Sequence, residues 1–360
     1  MEKSIKILLL LIIITLTALA ITGSIYFLNT KRIKVYYLKI NEKYKIGTPE
    51  KVTEAIEEFR ELAAKYPKSK YAPKALFQIG QGYQILYKIL NDEQKLDIAK
   101  KEYSDLAKKY PDSEEAEKAL LQVADICYTK GEYNEALGHL NYLLSRYIDT
   151  KLKSQVYTKM GYIYLELNDY EKALQAFNQP ENTNNDDALV GKAETYIKKG
   201  DYEKAISIYE EFIKYRKSSN LREKVIKNFE NVTYNYAKDL ASKKDYIRST
   251  MFYNKIIELL PNSNMAESSL YWIGENYYDS RDYENAINYF KKVLENSITL
   301  KDDSALLKLG VINFERQKFE EALKYFQKII NEYPKSTYTE IAKKWERQTL
   351  REIKYKSGNL

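Results

Sequence analysis

The amino-acid sequence predicts an all-α solenoid of antiparallel helix pairs, preceded by one apolar N-terminal helix. Three observations support this prediction. One pattern of small and aromatic residues recurs at spacings of 32 to 44 residues, prolines punctuate it at a fixed position, and an uncharged stretch lies near the N-terminus. Glycine and proline are scarce, at 12 and 7 of 360 residues, which suits a chain that is helical almost throughout.

Residues 7–28 form the apolar stretch, which holds 22 residues without a charge. A helix of this length suffices to cross a bilayer. Tyr26 and Phe27 lie near its end, where aromatic side chains favour the membrane interface. The alternative is a cleaved signal peptide that ends at Ala18 to Ala20, a small-residue cleavage pattern. The sequence therefore predicts a membrane anchor or signal sequence over residues 1–30.

Residues 31–47 are basic, and we expect them to form a juxtamembrane linker that is either solvated or in contact with lipid headgroups. The first 46 residues hold eight basic and two acidic residues, and six of the basic ones follow the apolar stretch. That bias favours a cytoplasmic body, although long domains cross membranes despite nearby charge. The rest of the chain, with 50 basic and 49 acidic residues, lacks the basic stripe of a nucleic-acid-binding surface.

Each copy of the repeat has a small residue followed twelve positions later by alanine or serine. In one copy Gly274 is followed by Ala286, Tyr283 precedes that alanine by three residues, and Phe290 follows it by four. Self-similarity at this spacing is typical of a solenoid. The six complete copies have these pairs at Ala124/Ala136, Gly161/Ala173, Ala193/Ala205, Ala237/Ser249, Gly274/Ala286 and Gly310/Ala322.

The residues of one copy predict two short antiparallel helices. Apolar residues at offsets of three and four, such as Leu270, Ile273 and Tyr277, form a stripe along the first helix. We expect the small residue to face the alanine of the second helix, so that the backbones approach closely and the aromatic side chains fill the flanks. A glycine such as Gly200 ends the first helix, and an aspartate caps the second. Four prolines, each followed two positions later by serine, end second helices: Pro67, Pro111, Pro261 and Pro334.

This pattern, over residues 48–336, resembles the tetratricopeptide repeat (TPR) family, with residues 337–360 as a capping helix and tail. The resemblance implies a superhelical solenoid of about eight units whose first helices line a concave, protein-binding face. The first helix of the first unit is not recognisable. The Tyr-Pro-x-Ser punctuation, as in residues 66–69, is similar to exported TPR proteins of the bacterial envelope, of the barrel-assembly or Tol–Pal-associated type.

Register within the first helices predicts the partner-binding stripe. Positions three before, and one and four after, each small residue lie beside the core stripe, and the resemblance places them on the concave face. We expect their aromatic side chains to anchor a peptide or protein segment, the alternative being packing between repeats. The candidate partner-binding residues are Phe77, Leu121, Tyr128, Tyr162, Tyr234, Tyr271, Tyr278, Leu307 and Phe314.

Nothing in the sequence indicates enzymatic chemistry. Cys127 and His139 are the single cysteine and the single histidine, which excludes a disulfide and every multi-histidine or cysteine-rich metal centre. Cys127 falls on a predicted buried stripe, and no acidic partner for His139 is suggested nearby. Phosphate-binding and hydrolase motifs are absent from the sequence. We therefore expect no catalytic, cofactor or metal site, no small-molecule substrate and no nucleic-acid partner.

The predicted function is that of a non-enzymatic, membrane-anchored TPR scaffold that binds protein or peptide partners on its concave face. The envelope resemblance implies a role in bacterial cell-envelope assembly or organisation. The apolar stretch indicates a single-pass N-terminal anchor, and the envelope resemblance implies a periplasmic or other extracytoplasmic body. The alternative is a cytoplasm-facing membrane adaptor that recruits soluble partners.

Overall fold

The computed structural model describes residues 2–295 and 298–358. Within them the chain consists of α-helices and one 3-10 turn, Pro180–Asn182, with no strand, so the predicted all-α fold class is confirmed. The helices α1 to α17 are Glu2–Ile46, Pro49–Lys65, Tyr71–Leu90, Gln94–Lys109, Glu114–Thr129, Tyr133–Arg146, Lys153–Glu166, Tyr170–Phe177, Asp186–Lys199, Tyr202–Tyr215, Arg222–Ser242, Tyr246–Leu259, Asn264–Asp279, Tyr283–Glu295, Asp302–Glu315, Phe319–Glu332 and Thr339–Lys356.

The chain divides into two units, Met1–Asn185 and Asp186–Leu360. Consecutive helices pack on each other within each unit, and short turns make them antiparallel neighbours. The first unit contains the pairs α1/α2, α3/α4, α5/α6 and α7/α8. The second contains α9/α10, α11/α12, α13/α14 and α15/α16, and α17 packs on α16. Each unit is therefore a stack of four helix pairs.

The small residue of the first helix makes room for an aromatic ring. A Cβ atom built on Gly274 would lie 2.7 Å from Cε1 of Phe290, which is closer than carbon atoms approach without repulsion. Gly161 and Gly310 lie in the same way against Phe177 and Phe326. This corrects the expected pairing of glycine with alanine, because the ring four residues after the alanine occupies the space beside the glycine.

In the six complete copies, the turn inside the pair has a left-handed residue five positions before the alanine or serine. Gly131 and Gly200 supply it in two copies. The other four turns hold residues with a Cβ atom at φ values of 58° to 64°, a conformation that costs them roughly 1–2 kcal/mol. These four residues are Asn168, Lys244, Arg281 and Gln317.

We expect Arg281→Gly to raise the free energy of unfolding by about 1 kcal/mol. Glycine relieves the strain of the left-handed conformation, and its larger unfolded-state entropy offsets part of the gain. Urea denaturation of the full chain measures the change. Arg281→Ala is the matched control, since it removes the same side chain and keeps the strained Cβ atom. An equal gain in both variants would show that the arginine side chain, and not its φ angle, is unfavourable.

The serines after the prolines act in two ways. Ser113 and Ser263 accept hydrogen bonds from the backbone N–H three residues on, as helix N-caps. Ser69 and Ser336 accept from the N–H two residues on, and their helices begin later. Thr48 caps α2 by accepting from the backbone N–H of Lys51. The predicted punctuation is confirmed, and N-capping by serine is confirmed for two of four copies.

Residues 31–47, predicted to be a linker, instead continue α1 as a helix up to Ile46. Ile33 and Ile40 are buried, and the Tyr44 hydroxyl donates to the Gln78 carbonyl at 2.7 Å. This part of α1 is the first helix of the first pair, so the array begins before residue 48. The repeat pattern misses it because Lys43 occupies the position expected to be small, twelve residues before Ala55.

The predicted membrane-spanning stretch, residues 7–28, lies within α1. Most of its side chains lie outside the described residues. In the part of the chain that the structure describes, no helix is long and apolar enough to cross a membrane.

Glu267 of α13 is a buried carboxylate, 1% exposed. Its Oε1 accepts a hydrogen bond from the backbone N–H of Lys301 at 3.1 Å, whereas its Oε2 has no hydrogen-bond partner. Burial raises its pKa, and the neighbouring carboxylate of Asp302 adds to this rise. The folded chain therefore holds the Glu267 proton more tightly than the unfolded chain does, and it loses stability as the pH rises through the raised value.

We expect Glu267→Gln to stabilise the chain by about 1 kcal/mol at pH 7 and to have no effect near pH 4. The amide keeps the acceptor for Lys301 and removes the uncompensated charge, whereas at pH 4 the parent carboxyl is already protonated. Denaturation curves at the two pH values test this. Glu320→Gln, a change on an exposed face of α16, is the control. A stabilisation that is the same at both pH values would contradict the charge argument.

Candidate partner-binding face

The nine candidate residues all lie on first helices of their pairs. Leu121 is buried at 7% exposure, and the other eight keep part of their side chains exposed. The first unit contributes Phe77, Leu121, Tyr128 and Tyr162, on α3, α5 and α7. The second contributes Tyr234, Tyr271, Tyr278, Leu307 and Phe314, on α11, α13 and α15.

In the second unit, the candidate rings pack against other aromatic rings of the fold. The ring of Tyr271 lies 5.5 Å from that of Phe290, and Phe314 lies 5.2 Å from Phe319 and 5.1 Å from Trp345. Such contacts fix the ring orientation and each contribute to packing. Packing within the array and partner binding are therefore compatible roles for these rings, because a half-buried ring still exposes the rest of its surface to a partner.

The first unit shows the same arrangement. The rings of Phe77 and Tyr162 lie 5.2 Å from those of Tyr103 and Phe177, respectively. Each partner ring belongs to the second helix of the same pair and is buried. The candidate aromatics are thus held by the aromatic residue that follows the alanine of the repeat.

Ion pairs join the first helices of successive repeats beside these rings. Glu275 of α13 accepts from Nζ of Lys308 on α15 at 2.7 Å, and Asp125 of α5 pairs with Lys159 of α7. Each acid directly follows the small residue of its own helix, and each lysine lies two positions before the small residue of the next first helix. The offsets that define the candidate stripe, three before and one and four after the small residue, do not include these lysines. The same register in two copies is the signal that would have found them.

Tyr278 connects the rings to the charges. Its hydroxyl donates to Oε1 of Glu315 at 2.8 Å, and the Lys308 ammonium lies 4.8 Å from the centre of its ring, within the range of a cation–π contact. Burial raises the pKa of Tyr278, as it does for the carboxyl of Glu275. In the Lys308–Glu275 pair the lysine is nearer the surface: the Lys308 side chain is 26% exposed and that of Glu275 only 14%.

A second cluster, on α5 and α6, brings together possible metal ligands. Ligand atoms of Cys127, Glu135 and His139 lie within 4.8 Å of one another. Glu135 Oε1 lies 3.5 Å from His139 Nε2, which corrects the expectation that the histidine has no acidic partner. Lys100 Nζ lies 2.9 Å from Glu135 and 2.7 Å from Glu132. The lysine ammonium therefore already supplies the positive charge that a metal ion would bring to these carboxylates. Burial raises the pKa of the Cys127 thiol to about 11, and we assign it to the core.

Comparisons with known families agree with the helix pairs. Residues 273–337 match the family model of the tetratricopeptide repeat, and residues 129–212 match the model of anaphase-promoting complex, cyclosome, subunit 3. The paired helices over residues 273–337 are therefore similar to tetratricopeptide repeats. The first match covers residues 273–279 of α13, helices α14 to α16 and the turn after them, and it includes Gly274, Ala286 and Phe290 of the copy that defined the pattern.

Among curated proteins, a TPR repeat-containing protein of Methanocaldococcus jannaschii is 27% identical over 192 residues, 50% of this chain. The match spans 30% of that protein's own length. Among solved structures, the C-terminal part of a TPR protein from Cytophaga hutchinsonii is 19% identical, with a TM-score of 0.46 over 76% of this chain and 97% of that one. A TPR protein from Parabacteroides merdae, also 19% identical, has a TM-score of 0.35 over 75% and 99%. The barrel-assembly or Tol–Pal type stays a prediction.

Proposed function

We propose that the chain is a non-enzymatic TPR scaffold that binds a protein or peptide segment along the first helices of its second unit. The observation that carries this proposal is the aromatic stripe around Tyr278. Its rings are fixed by packing in the unbound chain, so little side-chain freedom is lost when a partner binds. Rigid, half-exposed aromatic side chains are the residues that most often dominate binding energy at interfaces.

The chemistry of the stripe favours a particular kind of partner segment. Tyr271 and Phe314 offer apolar contact, and Lys308 is the more exposed member of its ion pair with Glu275. The Lys301 ammonium lies 5.7 Å from the ring of Tyr271 and adds a second cation. A segment with aromatic or aliphatic anchors interleaved with carboxylates complements this surface.

We expect Tyr278→Ala combined with Lys308→Ala to weaken partner binding by tenfold or more, because truncation of central aromatic contacts costs about 2 kcal/mol or more at interfaces. The parent chain is isolated from its native membranes, its co-purifying proteins are identified by mass spectrometry, and the affinity for the main one is then measured. Asn288→Ala with Lys291→Ala, on the exposed face of α14, is the matched control. Equal binding by parent and Tyr278/Lys308 variant, with unchanged helical content, would contradict the proposal.

The proposal includes anchoring by α1 and an extracytoplasmic body that organises a cell-envelope complex. The uncharged residues 7–28 and the Tyr-Pro-x-Ser turns support it. A single cysteine at Asn184, with Cys127 replaced by alanine, is labelled in intact cells by a reagent that reaches the periplasm but not the cytoplasm. Labelling before lysis supports this orientation. Protection until lysis would favour the cytoplasm-facing adaptor, which the six basic residues after the apolar stretch favour.

A further inference from the structure

The turn between α2 and α3 lies beside the part of α1 that directly follows the apolar stretch. Asn29, Thr30 and Ile33 of α1 line a cleft of about 330 Å³ together with residues 65–70 of the turn. Asn29 is the first residue after that stretch. Ile33 lies only about 7 Å beyond the end of the stretch, at 1.5 Å per helical residue.

Packing holds the turn at this level along α1. Ile33 is 8% exposed and Ile40 is fully buried in the core that α1 shares with α2 and α3. The helix is continuous from Glu2 to Ile46, so no flexible segment separates the apolar stretch from the first repeat. Wherever α1 places residues 29–33, the turn is placed beside them.

The cleft is cationic. Its charged lining residues are Lys65, Lys68 and Lys70. An adjoining cleft is lined by Arg32 and Lys65 together with one carboxylate, Glu61. The two clefts thus present four basic side chains and one acidic side chain, and the lysines of the turn are exposed to solvent.

We propose that the α2–α3 turn and the adjoining face of α1 form a docking site for the headgroups of anionic lipids. The inference rests on the proposed anchoring by α1. With residues 7–28 across the hydrocarbon core, residues 29–33 lie at the level of the headgroups, and the turn lies there with them. Lysines at this depth attract anionic lipid by about 1 kcal/mol each, and the Arg32 guanidinium suits bidentate contact with a phosphate. The first repeat then rests on the membrane surface.

The depth of the turn tests this docking directly. The full chain, with Cys127→Ala, is reconstituted in nanodiscs that contain phosphatidylglycerol and a lipid with a nitroxide on its headgroup. A fluorophore is attached at Lys68→Cys or, as the control, at Glu93→Cys, beyond the far end of α3. That helix has 20 residues and is therefore about 30 Å long. We expect strong quenching at position 68 and weak quenching at position 93. Weak quenching at both would overturn the docking.

Charge tests the lipid class. With the fluorophore at Lys68→Cys, we expect Lys65→Gln with Lys70→Gln to lower the ratio of docked to undocked chains roughly thirtyfold. The control pair, Lys88→Gln with Lys101→Gln, should leave it unchanged. Nanodiscs of phosphatidylcholine alone should resemble the Lys65/Lys70 variant. Displacement by inorganic phosphate at constant ionic strength would show a site for free phosphate and would contradict the lipid assignment.

Co-flotation of the same chain with vesicles separates this inference from the anchor on which it rests. Flotation without quenching at position 68 would reject the docking and leave the anchor in place. A chain that does not float would reject the anchoring by α1, and the docking would fail with it.

Discussion

Phe290→Ala is expected to lower the free energy of unfolding by about 3–5 kcal/mol, since Phe290 is fully buried and a truncated aromatic ring leaves a cavity. Gly274→Ala in the parent should cost about 1–3 kcal/mol, because its methyl group meets the ring of Phe290. In the Phe290→Ala background the same methyl group enters the vacated space. There Gly274→Ala should cost nothing or should stabilise.

This pair of residues therefore predicts a large coupling energy, which a double-mutant cycle in urea measures. Asn288→Ala, on the exposed face of the helix that carries Phe290, should change stability by no more than about 0.5 kcal/mol. If the two losses simply added, the ring would not be the reason for glycine in the first helix. Close contact of Gly274 with Ala286, as the sequence pattern predicts, would then be the better explanation for the glycine.

Trp345→Ala is expected to cost about 3 kcal/mol. Trp345 of α17 stacks on Phe326 with ring centres 5.9 Å apart and lies 5.1 Å from Phe314. Its removal uncovers the buried ring of Phe326 and frees the ring of Phe314, which belongs to the candidate stripe. We therefore expect Trp345→Ala to weaken partner binding as well as to lower stability.

Trp345→Phe is the conservative variant, which should retain most of the stacking and most of the stability. Lys344→Ala changes the exposed neighbour and should be neutral. Thermal and urea unfolding measure all three variants. A loss of stability below 1 kcal/mol for Trp345→Ala would show that α17 does not cap the core of the last pair.

The sequence predicted the helix pairs well because their packing repeats. One set of offsets encodes the small residue, the alanine and the aromatic ring in six copies, so each copy supports the others. The first helix of the first pair could not be predicted in this way, since Lys43 stands where the pattern has a small residue. Its ammonium is instead paired with Glu58 at 2.6 Å. Only the three-dimensional contacts of Ile33 and Ile40 reveal that helix.

The partner-binding role of the candidate stripe stays a prediction. Register placed Tyr271, Tyr278 and Phe314 beside the core stripe of their helices, because side chains at fixed offsets share a helix face. Register could not show how deeply each ring is buried, which depends on neighbours from other helices. The contacts of Tyr278 with Glu315 and Lys308 join residues 37 and 30 positions apart in sequence. Contacts of that kind follow from the stacking of one pair on the next, which the pattern does not contain.

We expect partners to contact the first helices of the second unit. Photo-crosslinking of the full chain in its native cells tests this expectation most directly. A photoreactive amino acid replaces Lys308 on the first-helix face or Lys291 on the exposed face of α14. The proposed function predicts a specific crosslinked protein at position 308 and none at position 291. Crosslinks at position 291 alone, or equal crosslinks at both positions, would contradict it.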